Sequence, residues 1–235
     1  MKSLISNKLL RKLNITTALG LVVLTAGVTS TGLFASATSN FAQTINAGTL
    51  SVDIVNSSYV TVGSPAVTMT AAPFSFSCQT ATGTFGAAEQ LIYVKNPDAS
   101  DTGWTVTLAA SAPTAVWDGT ASDYDFNDPG TAGCIDDGAT TDADAFSGQM
   151  TVDPSGGTLA TGTCASCTTT SVTKGSSNAF VQGSVDSVTI VSGAAGSDDI
   201  GDWKLSGVAL SQKIPAEQAA ANDYDINMTL SVVAV

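Results

Sequence analysis

The sequence predicts an all-β fold: an antiparallel β-sandwich of the Ig-like kind, interrupted by a long acidic, loop-rich insertion. Three observations support this prediction. Short stretches of alternating apolar and polar residues recur between turn signals that are rich in glycine and proline. β-Branched residues are abundant, whereas lysine, arginine and glutamate are scarce. The alternation nearly vanishes over residues 117–180 and returns after them.

Residues 1–37 are predicted to be a secretory signal peptide and not part of the fold. Basic residues precede an apolar run at 16–28, and Ala35, Ser36 and Ala37 form a small-residue cleavage pattern. The apolar run is too short to span a bilayer comfortably, although an uncleaved anchor is the alternative. We therefore expect a secreted protein at the cell surface or cell wall, with no membrane insertion after signal cleavage.

The charge of the chain after residue 37 limits the classes of function. Four of the eight basic residues lie within residues 1–37, whereas all twenty acidic residues follow them, which leaves four basic residues, twenty acidic ones and a formal charge of −16. Such a chain repels nucleic acid, so no nucleic-acid partner is expected. Histidine is absent, which removes the usual general base, and no nucleophile or phosphate-loop motif occurs. An enzyme is therefore not expected.

The first part of the sandwich is predicted within residues 38–116. Strands are expected at 49–55, 91–94 and 104–110, with short candidates at 59–62 and 67–70 and a turn at 83–86. The C-terminal strands, within residues 181–235, are expected to complete the sandwich. They are predicted at 185–191, 203–210 and 224–235, and the last strand places five apolar residues on one face: Tyr224, Ile226, Met228, Leu230 and Val232.

Acidic residues crowd the predicted insertion, 117–180, and part of their spacing matches a calcium loop. Asp123, Asp125 and Asn127 stand at alternate positions, as the first ligands of such a loop do. Asp128 occupies the position that needs glycine, and Cys134 the position of the bidentate glutamate, so an EF-hand is excluded. An irregular Ca²⁺ site and a solvated acidic surface both remain open. The candidate ligands are Asp123, Asp125, Asn127, Asp128, Asp136 and Asp137.

Four cysteines in an exported chain predict two disulfides. Cys164 and Cys167 form a C-x-x-C motif, but a redox role needs a helix N-terminus and a zinc site needs a second cysteine pair. Neither is present in the sequence. We favour Cys164–Cys167 as a local clip and Cys78–Cys134 as the link between insertion and sandwich. A bond from Cys134 to the C-x-x-C pair is the open alternative.

Four segments resemble parts of WxL-type bacterial cell-surface domains. They are the opening at 47–52, the Pro-aromatic stretch at 72–76, the Asp/Gly turn with Trp104 and Val106 at 101–106, and the Ile-Pro-Ala turn with its Tyr-led strand at 214–233. Val106 replaces the family's leucine. The second Trp motif is degenerate, with Leu230 and Val232 in place of tryptophan and leucine. A weaker resemblance of residues 40–54 is to camelysin/TasA-like secreted fibre proteins.

The resemblance implies a non-enzymatic surface protein that associates noncovalently with peptidoglycan, another cell-wall polymer or other surface proteins. The candidate binding residues are Trp104, Val106, Trp117 and Trp203, although burial in the core is the expected role of Trp104 and Trp203. Trp117, beside the acidic stretch, is the best candidate for an exposed aromatic. Two alternatives are a self-assembling fibre or surface-layer subunit, which would be a homo-oligomer, and a Ca²⁺-stabilised adhesin.

Overall fold

The structure is a computed structural model that describes residues 42–98, 102–138, 144–196 and 200–235. The predicted signal peptide lies outside the described residues. Within them there are twelve strands and no helix, so none of these residues belongs to a helix long and apolar enough to cross a membrane. The strands are β1 (Ser51–Val55), β2 (Gln79–Phe85), β3 (Leu91–Asn96), β4 (Trp104–Ala110), β5 (Gln149–Asp153), β6 (Thr158–Thr161), β7 (Val172–Lys174), β8 (Asn178–Ala179), β9 (Ser187–Gly193), β10 (Gly201–Ser206), β11 (Val208–Ile214) and β12 (Met228–Ala234).

The strands form three antiparallel four-stranded sheets. The first sheet has the order β1-β3-β10-β6, the second β2-β11-β5-β8 and the third β12-β4-β9-β7. Each sheet therefore pairs strands from the beginning of the chain with strands from its end, for example β3 with β10 and β2 with β11. The predicted all-β antiparallel sandwich is confirmed, and the two predicted halves share every sheet.

One apolar core is built from all three sheets. Trp104 of β4 and Trp203 of β10 are fully buried, with ring centroids 5.3 Å apart. Burial of aromatic and β-branched side chains is the main force that holds such sheets together. The five apolar residues predicted on one face of the last strand all pack against this core, but β12 begins only at Met228, so Tyr224 and Ile226 lie before the strand. Other fully buried side chains are Phe126, Phe180, Ile92, Met150, Ile190 and Leu205.

Four predictions of local structure in the sandwich are wrong: three strands and one turn. The single strand predicted at 203–210 is two strands, β10 and β11, because Gly207 has a φ of +74°, which lets the chain turn from the first sheet into the second. The turn predicted at 83–86 lies largely inside β2, whose small residues pair with β11. Residues 59–62 and 67–70 form no strand, although Thr70 donates a backbone hydrogen bond to Thr82 along the edge of β2.

The expectation that residues 117–180 carry almost no strands is also wrong. This segment contributes β5 and β8 to the second sheet, β6 to the first and β7 to the third. Its loop-rich part is the stretch before β5. The strands were not evident in the sequence because they are only two to five residues long and each contains at most two large apolar residues, too few to mark a period.

Candidate functional site

The residues predicted to bind a wall polymer lie mostly in the core. Trp104, Val106 and Trp203 have no exposed surface, which confirms the core role expected for the two tryptophans and leaves no side-chain face for a ligand. The Trp203 indole nitrogen donates to the Thr168 carbonyl at 2.8 Å. The prediction that Trp117 is exposed is wrong, since only 9% of its surface is accessible.

Trp117 belongs to a buried aromatic group that includes Tyr124 and Tyr224. The Trp117 ring stacks on Tyr124 with centroids 5.8 Å apart, and Tyr224 meets Tyr124 edge-on at 5.0 Å. The Trp117 indole donates to Oε1 of the fully buried Gln212 at 2.9 Å, while Gln212 donates to the Asp125 carbonyl at 2.9 Å. Burial, and secondarily the neighbouring Tyr224, raises the pKa of Tyr124, so this phenol stays protonated.

A surface groove of about 420 Å³ lies over this aromatic group. One wall is the Pro-aromatic stretch around Pro73 and Phe74, and the other is the loop after β11 from Ile214 to Asn222. Two of the four segments that carry the family resemblance therefore meet here. The Glu217 amide donates to the Ser75 carbonyl at 2.8 Å, which fixes the two walls together.

Two exposed aromatic side chains stand on the Pro-aromatic wall. Phe74 is 53% accessible and Phe76 is 78% accessible, and their rings meet edge-to-face at 5.3 Å. The opposite wall is fixed from below by Gln218, whose amide donates to the Tyr224 hydroxyl and the Ser122 hydroxyl, both at 2.9 Å. The sequence analysis marked this stretch as family-like but missed Phe74 and Phe76 as surface residues. Their neighbouring proline and alternation were compatible with a buried strand.

The acidic segment is partly buried, which corrects the interpretation of a fully solvated acidic surface. Asp125, Asn127 and Asp128 have at most 1% of their surface accessible, whereas Asp123, Asp136 and Asp137 are half-buried. Burial of Asp128, together with the charges of Asp137 and Asp136, raises the pKa of its carboxyl, although amide donors partly offset this. Those donors are the amides of Gly130 at 2.7 Å and Asp137 at 3.3 Å.

Two buried side-chain amide oxygens belong to this segment and to a residue bonded to its backbone. Among the described residues, Oδ1 of Asn127 and Oε1 of Gln182 receive no hydrogen bond. Asn127 cannot simply be flipped, because its Nδ2 donates to the Pro113 carbonyl at 2.8 Å and a carbonyl only accepts. The backbone N–H of Gln182 donates to the backbone carbonyl of Asn127 at 3.1 Å, so the two residues are neighbours. Gln182 lies far from this segment in the sequence, and no local pattern marked it.

The predicted Ca²⁺ ligands are not all brought together. Within the described ranges, no three carboxylates of this segment have ligand oxygens within 4.8 Å of one another. Asp123 instead accepts a bond from the Gly119 amide at 3.2 Å, on the side that faces the aromatic group. A cation here would therefore need the amide oxygens and water as well as carboxylates.

Both predicted disulfides are present. Cys78, the residue before β2, is bonded to Cys134 of the acidic segment. Cys164 is bonded to Cys167 in the loop between β6 and β7. The alternative bond from Cys134 to the C-x-x-C pair is excluded. A buried carboxylate, Asp202 of β10, lies against the second disulfide. The sequence analysis did not single it out because it directly precedes the strand predicted at 203–210.

Asp202 accepts four hydrogen bonds from three residues. Oδ2 accepts from the Tyr93 hydroxyl, from the Thr163 amide at 2.7 Å and from the Thr163 hydroxyl at 2.6 Å, and Oδ1 accepts from the Cys164 amide at 2.8 Å. Burial alone would raise the pKa of Asp202, but these bonds outweigh it and lower the pKa. Burial, followed by the bond to Asp202, raises the pKa of Tyr93 to about 12.

Replacing Asp202 by asparagine is expected to lower the free energy of unfolding at pH 7 by about 2 kcal/mol, because one amide oxygen cannot accept four bonds. A carboxyl with a lowered folded-state pKa adds stability above its unfolded pKa, and this stability is lost as the pH falls through the folded pKa. The difference between wild type and D202N should therefore shrink below about pH 4. Urea unfolding from neutral to acidic pH measures it.

The exposed Asp223 supplies the matched control for this experiment. Among the described residues it accepts one hydrogen bond, from the Thr120 amide at 3.3 Å, so the free energy of unfolding of D223N should stay close to that of wild type across the pH series. If the free energy of unfolding of D202N differs from that of wild type by the same amount at neutral and at acidic pH, the role given to Asp202 is contradicted.

No family model matches this chain, and no curated protein or solved structure matches it. The fold and these sites define the chain as an all-β, sandwich-like protein with two disulfides. The resemblance to WxL-type domains stays a prediction from short motifs.

Proposed function

We propose that this chain is a secreted surface protein that binds a cell-wall polymer noncovalently through the groove between Phe74 and Asn222. The observation that carries the proposal is the exposed Phe74–Phe76 pair beside a groove with an aromatic floor. Large apolar side chains that remain exposed as a contiguous patch commonly mark a binding surface. The signal-like residues 1–37 and the two disulfides support export.

The charge of the protein favours peptidoglycan over anionic wall polymers. The chain after residue 37 carries −16, so it repels polymers that are rich in phosphate or carboxylate. Sugar rings present apolar C–H faces that stack on aromatic side chains, which does not depend on charge. Phe74 lines the groove and supplies such an aromatic face, next to polar groups such as Asn222, and Phe76 packs edge-to-face against Phe74.

Pelleting with purified peptidoglycan tests the proposal. The oxidised protein should pellet with the polymer, and the variant F74A/F76A should bind about tenfold more weakly, as the loss of a central aromatic pair does at many interfaces. The matched control is V60A/I135A, which removes two apolar side chains that are each 60% accessible and lie outside the groove. Absence of binding by wild type, or equal binding by both variants, would contradict the proposal.

Electron microscopy of the protein without polymer tests the fibre alternative. The observation that favours it is the edge strand β12, which within the described residues pairs only with β4 and carries Val233 with 55% accessibility. An unpaired edge can add a strand from another molecule. Ordered filaments together with absent wall binding would support this alternative and overturn the first.

A second candidate function is that of a Ca²⁺-stabilised adhesin, which the buried Asn127 and Gln182 oxygens favour. Oxygen atoms from amides and carboxylates are the ligands that Ca²⁺ prefers, and the crowding of Asp128 with Asp136 and Asp137 would be relieved by a cation. Ca²⁺ at about ten times its Kd should add about 1.4 kcal/mol to the free energy of unfolding, which raises Tm by about 4 °C.

Calorimetry with Ca²⁺ and with a chelator measures this effect. The half-buried Gln182 allows a mild variant, Q182A, in which the Ca²⁺ effect should weaken, while the exposed D223N should keep it. Mg²⁺ should give a smaller rise, because it demands a small octahedral site. A melting temperature that is indifferent to chelator would count against a calcium site.

A further inference from the structure

We propose that reduction of the Cys164–Cys167 disulfide creates a site for a soft divalent cation of the Zn²⁺ type, with Cys164, Cys167 and Asp202 as its protein ligands. This inference is independent of the proposed wall binding. It concerns the loop between β6 and β7 and the first residues of β10, away from the groove.

The three ligand atoms are already together. The sulfur atoms of Cys164 and Cys167 and a carboxylate oxygen of Asp202 lie within 4.8 Å of one another. Among the described residues this is the one cluster of cysteine and acidic side chains with that geometry. Once the S–S bond is reduced, the two sulfurs can move apart to the separation that Zn–S bonds of about 2.3 Å require, and the carboxylate oxygen is close enough to form a Zn–O bond of about 2.1 Å.

Asp202 has the properties of a metal ligand in this position. It is only 4% accessible, and one of its carboxylate oxygens lies close to both cysteine sulfurs. Tyr93 and Thr163 both donate to Oδ2, so they hold the carboxylate in one orientation. Among the described residues, Oδ1 accepts one bond, from the Cys164 amide, and a carboxylate oxygen has a second lone pair for a metal ion. Outer partners of this kind orient ligands in known metal sites.

Two glycines allow the close approach of these groups. A Cβ atom on Gly201 would lie 2.4 Å from the Cys167 sulfur, and a Cβ atom on Gly162 would lie 2.6 Å from Oδ2 of Asp202. Gly201 also has a φ of +158°, which other residues rarely adopt. Side chains at either position would separate the cysteines from the carboxylate.

The site is open to solvent on one side. Cys164, Cys167 and Asp202 line a depression of about 550 Å³ together with Lys95 and Ser166. An ion can therefore enter from solvent, and a water molecule can complete a four-coordinate shell of two sulfurs and two oxygens. Two thiolates favour Zn²⁺ and its softer analogues over Ca²⁺ or Mg²⁺.

The chemistry requires an external thiol reductant. Two electrons and two protons from a dithiol reduce the Cys164–Cys167 bond to two thiols, and the dithiol is itself oxidised to a disulfide. Binding of the cation then releases the two thiol protons to water as two metal–thiolate bonds form. The sequence analysis did not predict a zinc site at the C-x-x-C motif, because the chain has no second cysteine pair. In the folded chain, Asp202 lies close enough to serve as the third ligand.

Titration with Co²⁺ tests the inference, because thiolate ligation gives cobalt a charge-transfer absorption that carboxylate ligation lacks. The protein is reduced with a phosphine, which does not coordinate Co²⁺ in the manner of a thiol reductant, and is compared with the oxidised protein. We expect one Co²⁺ per reduced chain with the charge-transfer band, its displacement by Zn²⁺, and no band from the oxidised protein. Equal spectra from the two forms would overturn the proposal.

Four variants identify the ligands. C164S/C167S keeps Cys78 and Cys134, so it measures any binding by that pair, and it should show no band. C164S alone should lose most of the affinity. D202N should bind about tenfold more weakly or worse. D223N, which replaces an exposed carboxylate outside this site, should stay within about threefold of wild type. Binding by D202N as tight as that of wild type, with circular dichroism showing a folded protein, would exclude the carboxylate.

Discussion

Replacing Cys78 and Cys134 together by serine is expected to lower the free energy of unfolding by about 4 kcal/mol. The bond joins residues that are 56 positions apart, so it removes many conformations from the unfolded chain. It also anchors the acidic segment to the start of β2. Denaturant unfolding of the oxidised variants and wild type measures the difference.

The matched control is C164S/C167S, whose bond spans a sequence separation of three. The same chain-entropy relation gives about 2 kcal/mol for so short a loop. A larger loss from the short clip than from the long bond would contradict the entropic account. It would indicate that the clip stabilises the folded state through contacts such as those of Asp202.

Replacing Trp203 by alanine is expected to cost about 3–5 kcal/mol, which is the range for removing a fully buried aromatic side chain. Three losses combine in W203A: the apolar area, the contact with Trp104 at 5.3 Å and the bond to the Thr168 carbonyl. Because Thr168 follows the C-x-x-C clip, we also expect the loop between β6 and β7 to lose protection from hydrogen exchange.

The exposed Phe76 provides the comparison for Trp203. It is 78% accessible, so F76A should change the free energy of unfolding by less than about 0.5 kcal/mol. A W203A protein as stable as F76A would be incompatible with a core centred on Trp104 and Trp203. Trp203→Phe is a milder variant for the case in which W203A does not fold.

The sequence predicted those parts of the fold in which apolar residues alternate strongly. β4 has the predicted bounds, and the final strand turns the predicted face to the core. Prediction failed where small or polar residues form strands, as in β5–β8, because their partners in other sheets and not their own composition determine them. It also failed at Gly207, where one positive φ divides an apolar run into two strands of different sheets.

The candidate sites were harder to predict because they depend on contacts between distant residues. Trp117 looked exposed beside acidic residues, yet Tyr124 and Tyr224 cover it. One signal was available: residues 123–127 and 223–227 have similar sequences, and the fold brings Tyr124 and Tyr224 into contact. Asp202 and Gln182 had no such signal, since each acquires its role from residues far along the chain.

The interleaving of early and late strands in every sheet has a consequence for the growing chain. β4 lies between β9 and β12 in the third sheet, so it has no neighbour until nearly the whole polypeptide has been synthesised. Pairing at such sequence distances is slow, and a truncated nascent chain cannot complete the core. The core around β4 should therefore form only after β9 and β12 have been synthesised.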